Sequence, residues 1–337
     1  MDKELEVTEL EVSALVGKIK NLKIEIAKII VGQDQAIDHL IISFLAGGHA
    51  LLEGVPGLAK TLMIRTLSEA IDLNFRRIQF TPDLMPSDIL GTEILEEDHS
   101  TGKKFFKFNK GPIFSNIVLA DEINRTPPKT QSALLEAMQE FEVSYAGQTY
   151  PLERPFFILA TQNPIEQSGT YPLPEAQLDR FLMYIQINYP GEQEEEEVLK
   201  STTGVSRENV QKVLSADEII KLQGYVREVV IGDELIKLVN GVVRSTRPGT
   251  SNDQKVQEYV GWGAGPRAGQ AVILTAKARA LVHGRYAVTK EDIREVLLPV
   301  MRHRVLVNFK AEAENVTSDD IIRHIMSEFK ISTNGIL

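Results

Sequence analysis

Apolar residues recur along the chain with two different periods, and the change of period separates predicted helices from predicted strands. From residue 13 to residue 45 they lie at helical spacing, interrupted at residues 31–33, which predicts two helices joined by a tight turn. Short apolar runs closed by turn residues follow and predict buried strands. These runs cover residues 49–53, 75–80, 116–121, 156–161 and 183–187.

Helical segments lie between these predicted strands, notably residues 60–71 and 129–140. Strands that alternate with helices predict a parallel sheet covered by helices on both faces. Two further segments, residues 101–112 and 142–152, are typical of β-hairpin arms, and the second turns around residues 146–148. We therefore expect hairpins inserted into an α/β domain.

After residue 191 the strand signals stop, and the chain is predicted to be helical to its end. An acidic run at 192–197 is typical of a first helical turn. The stretch from Ser245 to Val260 is predicted as a loop. The later helices are predicted at residues 215–230 behind a Ser215 cap, 233–245, 266–283, 289–305 behind Thr289, and 318–329 behind Ser318. The predicted organisation is an N-terminal helical segment (1–30), an α/β core (31–190) and an all-helical domain (191–337).

The composition excludes several classes of protein. Of 337 residues, 43% are hydrophobic and 25% are charged, the balance of an ordinary globular protein. The formal net charge of −10 argues against attraction of the whole surface to nucleic acid or anionic lipid. The chain has no cysteine, no secretory signal pattern and no apolar run long enough to span a membrane, so we expect a cytoplasmic protein.

A glycine-rich sequence, GVPGLAKT at residues 54–61, lies between a predicted strand and a predicted helix. In such a loop, backbone N–H groups and the helix dipole bind phosphate, the lysine reaches the β- and γ-phosphates, and the hydroxyl of the following residue completes a Mg²⁺ shell. Lys60 and Thr61 are the candidates for those roles. Ala59 departs from the usual pattern, in which glycine stands at this position because a side chain opposes a positive φ.

Polar residues end two of the later predicted strands. Asp121 and Glu122 close the run NIVLAD, where one carboxylate can hold Mg²⁺ and the other can orient or deprotonate a water molecule. Asn163 ends the next strand and can hydrogen-bond the γ-phosphate or the attacking water. Two arginines further along, Arg180 in LDRF and Arg267 in GPRAG, are candidates as well, although either alone is typical of a surface ion pair.

The order of these motifs resembles that of the AAA+ ATPases, and within them the MoxR family. The resemblance runs from about Ile29 to about Arg304, and its most specific pieces are GVPGLAKT, QFTPDLMPSDILG, GPIFSNIVLADEINRTPPKTQSALLEAMQE and LATQNPIEQSGTYPLPEAQLDRFLM. The loop of this family is similar to GVPGLAKT in the same form, so Ala59 does not signal a dead site. The fold that it implies is a P-loop α/β domain with a five-stranded parallel sheet and β-hairpin insertions, followed by an all-α lid domain.

The resemblance also implies residue roles and cofactors, with ATP and Mg²⁺ as the ligands. Asn163 is similar to the sensor 1 residue, Arg267 to sensor 2, and Arg180 to the arginine finger that acts on ATP bound by a neighbouring subunit of a ring, usually a hexamer. Whether Arg267 acts on its own nucleotide or a neighbour's stays open. The implied nucleotide contacts are Val31, Gly32 and Gln33 at the adenine, and Gly54, Val55, Pro56, Gly57, Leu58, Ala59, Lys60, Thr61 and Leu62 at the phosphates.

Three functions compete. The resemblance implies ATP-driven remodelling or maturation of a protein client, including metal or cofactor insertion, with a von Willebrand factor type A domain protein as partner. A ring-forming nucleic-acid motor is the second, since KKFFKFNK at residues 103–110 interleaves lysines with phenylalanines, although a hairpin with one apolar face explains these equally well. A nucleotide-gated scaffold is the third, and the hydrolytic set Asp121, Glu122, Asn163 and Arg180 argues against it.

Overall fold

The computed structural model describes residues 2–97, 99–100, 102–165, 169–203 and 209–331, with side chains from residue 10 onward. The helices are α1 (Asp2–Ala27), α2 (Asp34–Leu45), α3 (Lys60–Ala70), α4 (Pro86–Leu90), α5 (Pro128–Glu140), α6 (Glu175–Leu178), α7 (Glu192–Thr203), α8 (Ala216–Glu228), α9 (Asp233–Ser245), α10 (Gln254–Tyr259), α11 (Pro266–Val282), α12 (Lys290–Met301), α13 (Phe309–Ala313) and α14 (Ser318–Glu328). The strands are β1 (Ala50–Glu53), β2 (Phe75–Gln79), β3 (Gly91–Glu97), β4 (Lys104–Lys110), β5 (Ile117–Asp121), β6 (Glu142–Tyr145), β7 (Gln148–Pro151), β8 (Phe157–Gln162), β9 (Met183–Gln186), β10 (Val260–Trp262) and β11 (Leu306–Val307).

Five strands form one parallel sheet in the order β2-β5-β8-β1-β9. Alternate residues of a strand fall into two separate hydrophobic clusters, because successive side chains of a strand point to opposite faces. Leu119 of β5 belongs to the cluster with α2 and α3, whereas Val118 belongs to the cluster with α5. The sheet is therefore covered on both faces, which confirms the predicted α/β class.

Two antiparallel hairpins decorate this sheet, as predicted. The first pairs β3 with β4, from Gly91 opposite Lys110 to Glu97 opposite Lys104. Its arm β3 was not predicted, since the sequence analysis placed only residues 101–112 in a hairpin. The second pairs β6 with β7 through a turn at Ala146 and Gly147, whose φ angles of 49° and 80° suit a two-residue hairpin connection.

The region after residue 191 is mostly helical, and its acidic run opens helix α7 as predicted. Three expectations there are wrong. The loop predicted between Ser245 and Val260 contains α10, which an Asp253 side chain caps. A short ribbon pairs β10 with β11, so the region is not entirely helical. The cap of α14 is Thr317 rather than Ser318, because the Thr317 hydroxyl accepts from the Asp320 N–H.

The helical region packs against the core at the β9 edge of the sheet, through contacts of α12 with β9 and of α11 with α2. Helix α1 contacts α3 of the core as well as α8 and α11, and buries one apolar face between them. In the described part of the chain, no helix is both long and apolar enough to cross a membrane.

Candidate functional site

The glycine-rich loop connects β1 to α3 at the carboxyl end of the sheet. Gly57 has a φ of 89°, and Ala59, the residue before the helix, has φ 53° and ψ 21°. The left-handed conformation expected of a glycine at this position is thus adopted by alanine, at a cost of about 1 kcal/mol. The loop keeps its shape with a methyl group in place of a hydrogen.

Lys60 begins helix α3 and is half-buried, with its ammonium group donating to the carbonyl of Gly54. Burial lowers the pKa of Lys60, while the carboxylates of Asp121, Glu122 and Glu53 act in the opposite direction. The Lys60 ammonium therefore lies within the field of the carboxylates at the ends of β1 and β5.

Asp121 ends β5 and is held by two side chains that sequence analysis missed. Its Oδ2 accepts from Arg77 Nη2 at 2.6 Å and from Arg77 Nε at 3.0 Å, and its Oδ1 accepts from the Thr161 hydroxyl at 2.6 Å. Arg77 comes from β2 and Thr161 from β8, the two neighbours of β5 in the sheet. Thr161 could be recognised as a polar residue near the end of an otherwise apolar run, whereas Arg77 lies in the middle of the run FRRIQ and carries no such signal.

Glu122 follows β5 in the left-handed backbone conformation, with a φ of 58°. Its N–H donates to the Thr161 hydroxyl at 2.9 Å, and its Oε2 accepts from Gln79 Nε2 at 2.8 Å. Arg125 Nε lies 3.1 Å from the same oxygen. Gln79, which pairs with Asp121 across the β2–β5 ladder, is a third neighbour of the site that the sequence analysis did not single out.

Asn163 is 5% exposed and follows β8, next to the start of the glycine loop, where the Gly54 N–H donates to the Gln162 carbonyl. Its Oδ1 accepts from the Ile165 N–H at 3.2 Å. Its Nδ2 has no acceptor among the described residues. A buried amide N–H requires an acceptor, and a phosphate oxygen is one, so this group fits a nucleotide.

The segment 31–33 joins α1 to α2 beside the end of β9. Gln33 has a φ of 63°, and its Nε2 donates to the carbonyl of Asn188 at 2.8 Å. Gly32 lies against the Glu194 carboxylate at the start of α7. Gln33 and Asn188 line a cleft of about 750 Å³ that extends to α12 and α14. The cleft adjoins the glycine loop because Gln186 of β9 pairs with Glu53 of β1.

Arg180 and Arg267 lie at the opposite end of the sheet. Met183 of β9 pairs with Ala50, the first residue of β1, whereas the glycine loop follows Glu53, the last. Arg180 precedes β9, and its Nη1 donates to the carbonyl of Leu135 at 2.7 Å. Arg267, 64% exposed at the start of α11, has Nη1 at 3.5 Å from Asp179 Oδ2. The structure thus groups Lys60, Asp121, Glu122 and Asn163, and places the two arginines elsewhere.

Among the described residues, no cluster of three or more histidine, aspartate or glutamate side chains could hold a metal by itself. Thr61 and Asp121 lie at the glycine loop and at the β5 end, the two elements that a phosphate would join. That donor set suits Mg²⁺, which commonly takes one or two protein ligands and completes its shell with phosphate and water.

A glycine loop that leads from β1 into a helix, a buried amide after the adjacent strand β8 and paired carboxylates at the end of the next strand, β5, define a P-loop nucleotide hydrolase of the AAA+ class. Residues 49–183 match the model of the ATPase family associated with various cellular activities, and residues 252–325 match that of the AAA lid domain.

Individual relatives refine the class. The Chaperone MoxR1 of Mycobacterium tuberculosis is 42% identical over 93% of this chain and 82% of its own length, and the Protein MoxR of Methylorubrum extorquens is 31% identical over 84% and 86%. The crystal structure of "a putative ATPase" from Cytophaga hutchinsonii superposes with a TM-score of 0.88 at 43% identity, over 96% of this chain and 98% of that one. This chain belongs to the MoxR family of AAA+ ATPases, and ATP binding follows from that membership.

Proposed function

We propose that this protein hydrolyses ATP in sites shared between neighbouring copies of a ring and uses the cycle to remodel partner proteins. The observation that carries the proposal is the separation of Arg180 and Arg267 from the glycine loop of their own chain, at opposite ends of β1 and β9. An arginine that stabilises a phosphoryl-transfer transition state can be supplied by a second molecule. Head-to-tail assembly would bring the arginine end of one copy to the loop end of the next.

Within one copy, the roles follow from position. Lys60 and the loop residues would bind the β- and γ-phosphates, and the Asn163 amide would donate to the γ-phosphate or to the attacking water. Glu122 would accept a proton from that water. Thr61 and Asp121 would hold Mg²⁺, which when bound neutralises charge on the phosphate oxygens. Gln33 and the cleft beyond it would receive the base.

The two arginines would act together, on a neighbour's nucleotide. Arg267 and Arg180 flank Asp179 at one edge of the sheet. To reach the nucleotide of its own chain, the Arg267 side chain would have to extend along the whole length of the strands to the glycine loop. We therefore assign both residues to the same in-trans role and keep the division into an N-terminal segment (1–30), a core (31–190) and a lid (191–337) as part of the proposal.

The client is proposed to be a protein. The M. tuberculosis relative carries the name chaperone. Phe106, opposite Leu95 in the outer part of the first hairpin, is 70% exposed, which suits contact with an apolar polypeptide. Maturation of a metal- or cofactor-containing complex, with a von Willebrand factor type A domain protein as partner, is the finer form of this proposal, and a hexameric ring in the cytoplasm is its setting.

Charge in the first hairpin does not favour the nucleic-acid motor. Lys107 is bound by Glu96 at 3.0 Å, and Lys104 pairs across the ladder with Glu97. Carboxylates on β3 therefore offset Lys104 and Lys107 on β4, and a polyanion would have to displace them.

The test is the steady-state ATPase rate per subunit as a function of protein concentration. We expect the rate to rise with concentration, and Arg180→Ala to lower it by about 10³-fold while leaving nucleotide affinity unchanged. Glu122→Gln should bind ATP without hydrolysing it. A concentration-independent rate that ignores the Arg180 substitution would contradict the shared site.

A further inference from the structure

Arg304, just beyond α12, is a buried arginine whose side chain is 5% exposed. All five of its N–H groups have acceptors. Nε donates to Asp179 Oδ1 at 2.7 Å. Nη1 donates to the carbonyl of Leu182 at 3.2 Å and to the carbonyl of Val300. Nη2 donates to the carbonyl of Asp179 at 3.3 Å and to that of Phe181 at 2.7 Å. Four of the five acceptors belong to residues 179–182, the segment that carries Arg180.

His303 binds the same segment. Its Nε2 lies 3.1 Å from the carbonyl of Phe181. Burial, with the neighbouring Arg304 charge, holds the pKa of His303 well below its usual range, so the ring is neutral and donates through Nε2. Two consecutive residues just beyond α12, His303 and Arg304, therefore hold the backbone on either side of Arg180.

Asp179 extends this contact to the second arginine. One carboxylate oxygen accepts from Arg304, and the other lies 3.5 Å from Arg267 Nη1 at the start of α11. A single carboxylate thus joins the segment before β9, the end of α12 and the first turn of α11. Arg267 stays largely exposed, so this pair orients its guanidinium without burying it.

A buried ion pair is weak evidence for stability, because apolar side chains of similar volume often replace one without loss. Precise geometry is a separate requirement, since a displacement of about 1 Å at a reacting group can lower a rate by about 10²-fold. The planar guanidinium of Arg304 is suited to precise positioning, because its five donors bind several acceptors in one orientation.

We propose that Arg304 is a positioning residue, which through Asp179 and the backbone of residues 179–182 holds Arg180 and Arg267 in one arrangement for a neighbour's nucleotide. The inference rests on the shared site proposed above. Arg304 would act only on the arginine end of its own copy, and its own glycine loop would be unaffected. Lid and arginine segment would then move as one body.

The test is complementation between variants with defects at opposite ends of the sheet. Arg304→Gln alone is expected to lower kcat by about 10²-fold with nucleotide affinity unchanged. Arg304→Gln is then mixed in equal amounts with Glu122→Gln, which cannot hydrolyse ATP but carries intact arginines. In the mixed rings, about one head-to-tail interface in four pairs an intact glycine-loop site with intact arginines. The mixture should therefore recover about a quarter of the natural ATPase rate per subunit. A mixture of Arg180→Ala with Glu122→Gln serves as the reference.

Arg279→Gln is the matched control, since Arg279 is another shielded lid arginine, bound to Asp292 at 2.7 Å and not to residues 179–182. It should lose stability but keep its ATPase rate. If Arg304→Gln does not fold, as judged by circular dichroism, Asp179→Asn replaces it in the same mixtures.

The outcomes separate this inference from the shared site itself. Recovery in both mixtures supports the positioning role. Recovery in the Arg180 mixture alone overturns it, because the Arg304 defect is then not confined to the arginine end. Full activity of Arg304→Gln alone also overturns it. Recovery in neither mixture rejects the shared site, and this inference with it.

Discussion

Three residues of the candidate site adopt the left-handed backbone conformation without being glycine. They are Gln33, Ala59 and Glu122, with φ angles of 63°, 53° and 58°. Such positions cost about 1–3 kcal/mol each and persist where the surrounding structure requires them. At Glu122 the carboxylate accepts from Gln79, whereas the carboxylate of Asp121 accepts from Arg77, two residues earlier on the same strand.

Ala59→Gly tests this strain at a single residue. Glycine removes about 1–2 kcal/mol of left-handed strain and adds about 0.5–1 kcal/mol of unfolded-chain entropy, so we expect the free energy of unfolding to rise by roughly 0.5 kcal/mol. The control is Ala133→Gly within α5, which should lower it by about 1 kcal/mol. Chemical denaturation of both variants checks the prediction, and equal losses would show that Ala59 is unstrained.

At the scale of elements, the two hairpins form one unit through aromatic contacts. The Phe108 ring on β4 stacks on Tyr150 of β7 with centroids 4.3 Å apart, and also contacts Tyr145 and Phe114. The interpretation of KKFFKFNK as a strand with one apolar face therefore holds for Phe108. Phe106 lies on the same face as Phe108 but is exposed, and Phe105 lies on the opposite face.

Phe108 and Phe106 provide a matched pair of variants on one strand. Phe108→Ala should lower the free energy of unfolding by about 2 kcal/mol, since a stacked aromatic pair is lost with its buried area. Phe106→Ser should change it by less than about 0.5 kcal/mol. Amide hydrogen exchange over residues 142–151 should quicken only in the Phe108 variant. Protection unchanged in both would mean that the hairpins are independent.

At the scale of the whole molecule, stability should depend on buried histidines in the core. His49 is the buried residue just before β1. Its Nδ1 accepts from the Ile158 N–H at 3.0 Å, and its Nε2 lies 3.0 Å from the Met138 carbonyl. Burial lowers the pKa of His49 to about 4, and burial likewise lowers the pKa of His39, which lies on α2, to about 4. Both rings are neutral in the folded protein at pH 7.

The unfolded chain binds protons at these histidines below about pH 6.5, whereas the folded chain does so only near pH 4. Stability is therefore full above pH 6.5 and falls as the pH is lowered, by about 1.4 kcal/mol per pH unit for each ring. Free energies of unfolding measured between pH 6.5 and pH 5 check this. His49→Gln should lower the slope by about 1.4 kcal/mol per pH unit, and an unchanged slope would refute the assignment.

Much of this protein could be predicted from local patterns. The inner strands β1, β5 and β8 were visible as apolar runs closed by turn residues, because burial on both faces leaves a continuous apolar segment. Lys60, Asp121, Glu122 and Asn163 were found because they follow strands of one parallel sheet, whose carboxyl ends meet at one edge. Strand β3 was missed because Glu93 and Glu96 interrupt its apolar residues, so that it contains no apolar run. Helix α10 was missed because Gly249 and Asn252, which precede it, are typical of a loop.

The sequence by itself determined the α/β class, the helical region after it and the glycine loop with the candidate residues for nucleotide binding, since local periodicity and loop chemistry depend on neighbours along the chain. Only the tertiary structure decided which residues meet across it. Strand order brought Arg77, Gln79 and Thr161 to the carboxylates, and the docking of α11 and α12 on the β9 edge placed Arg267 and Arg304 beside Asp179. Such contacts join residues up to 125 positions apart, and no local pattern encodes their distance.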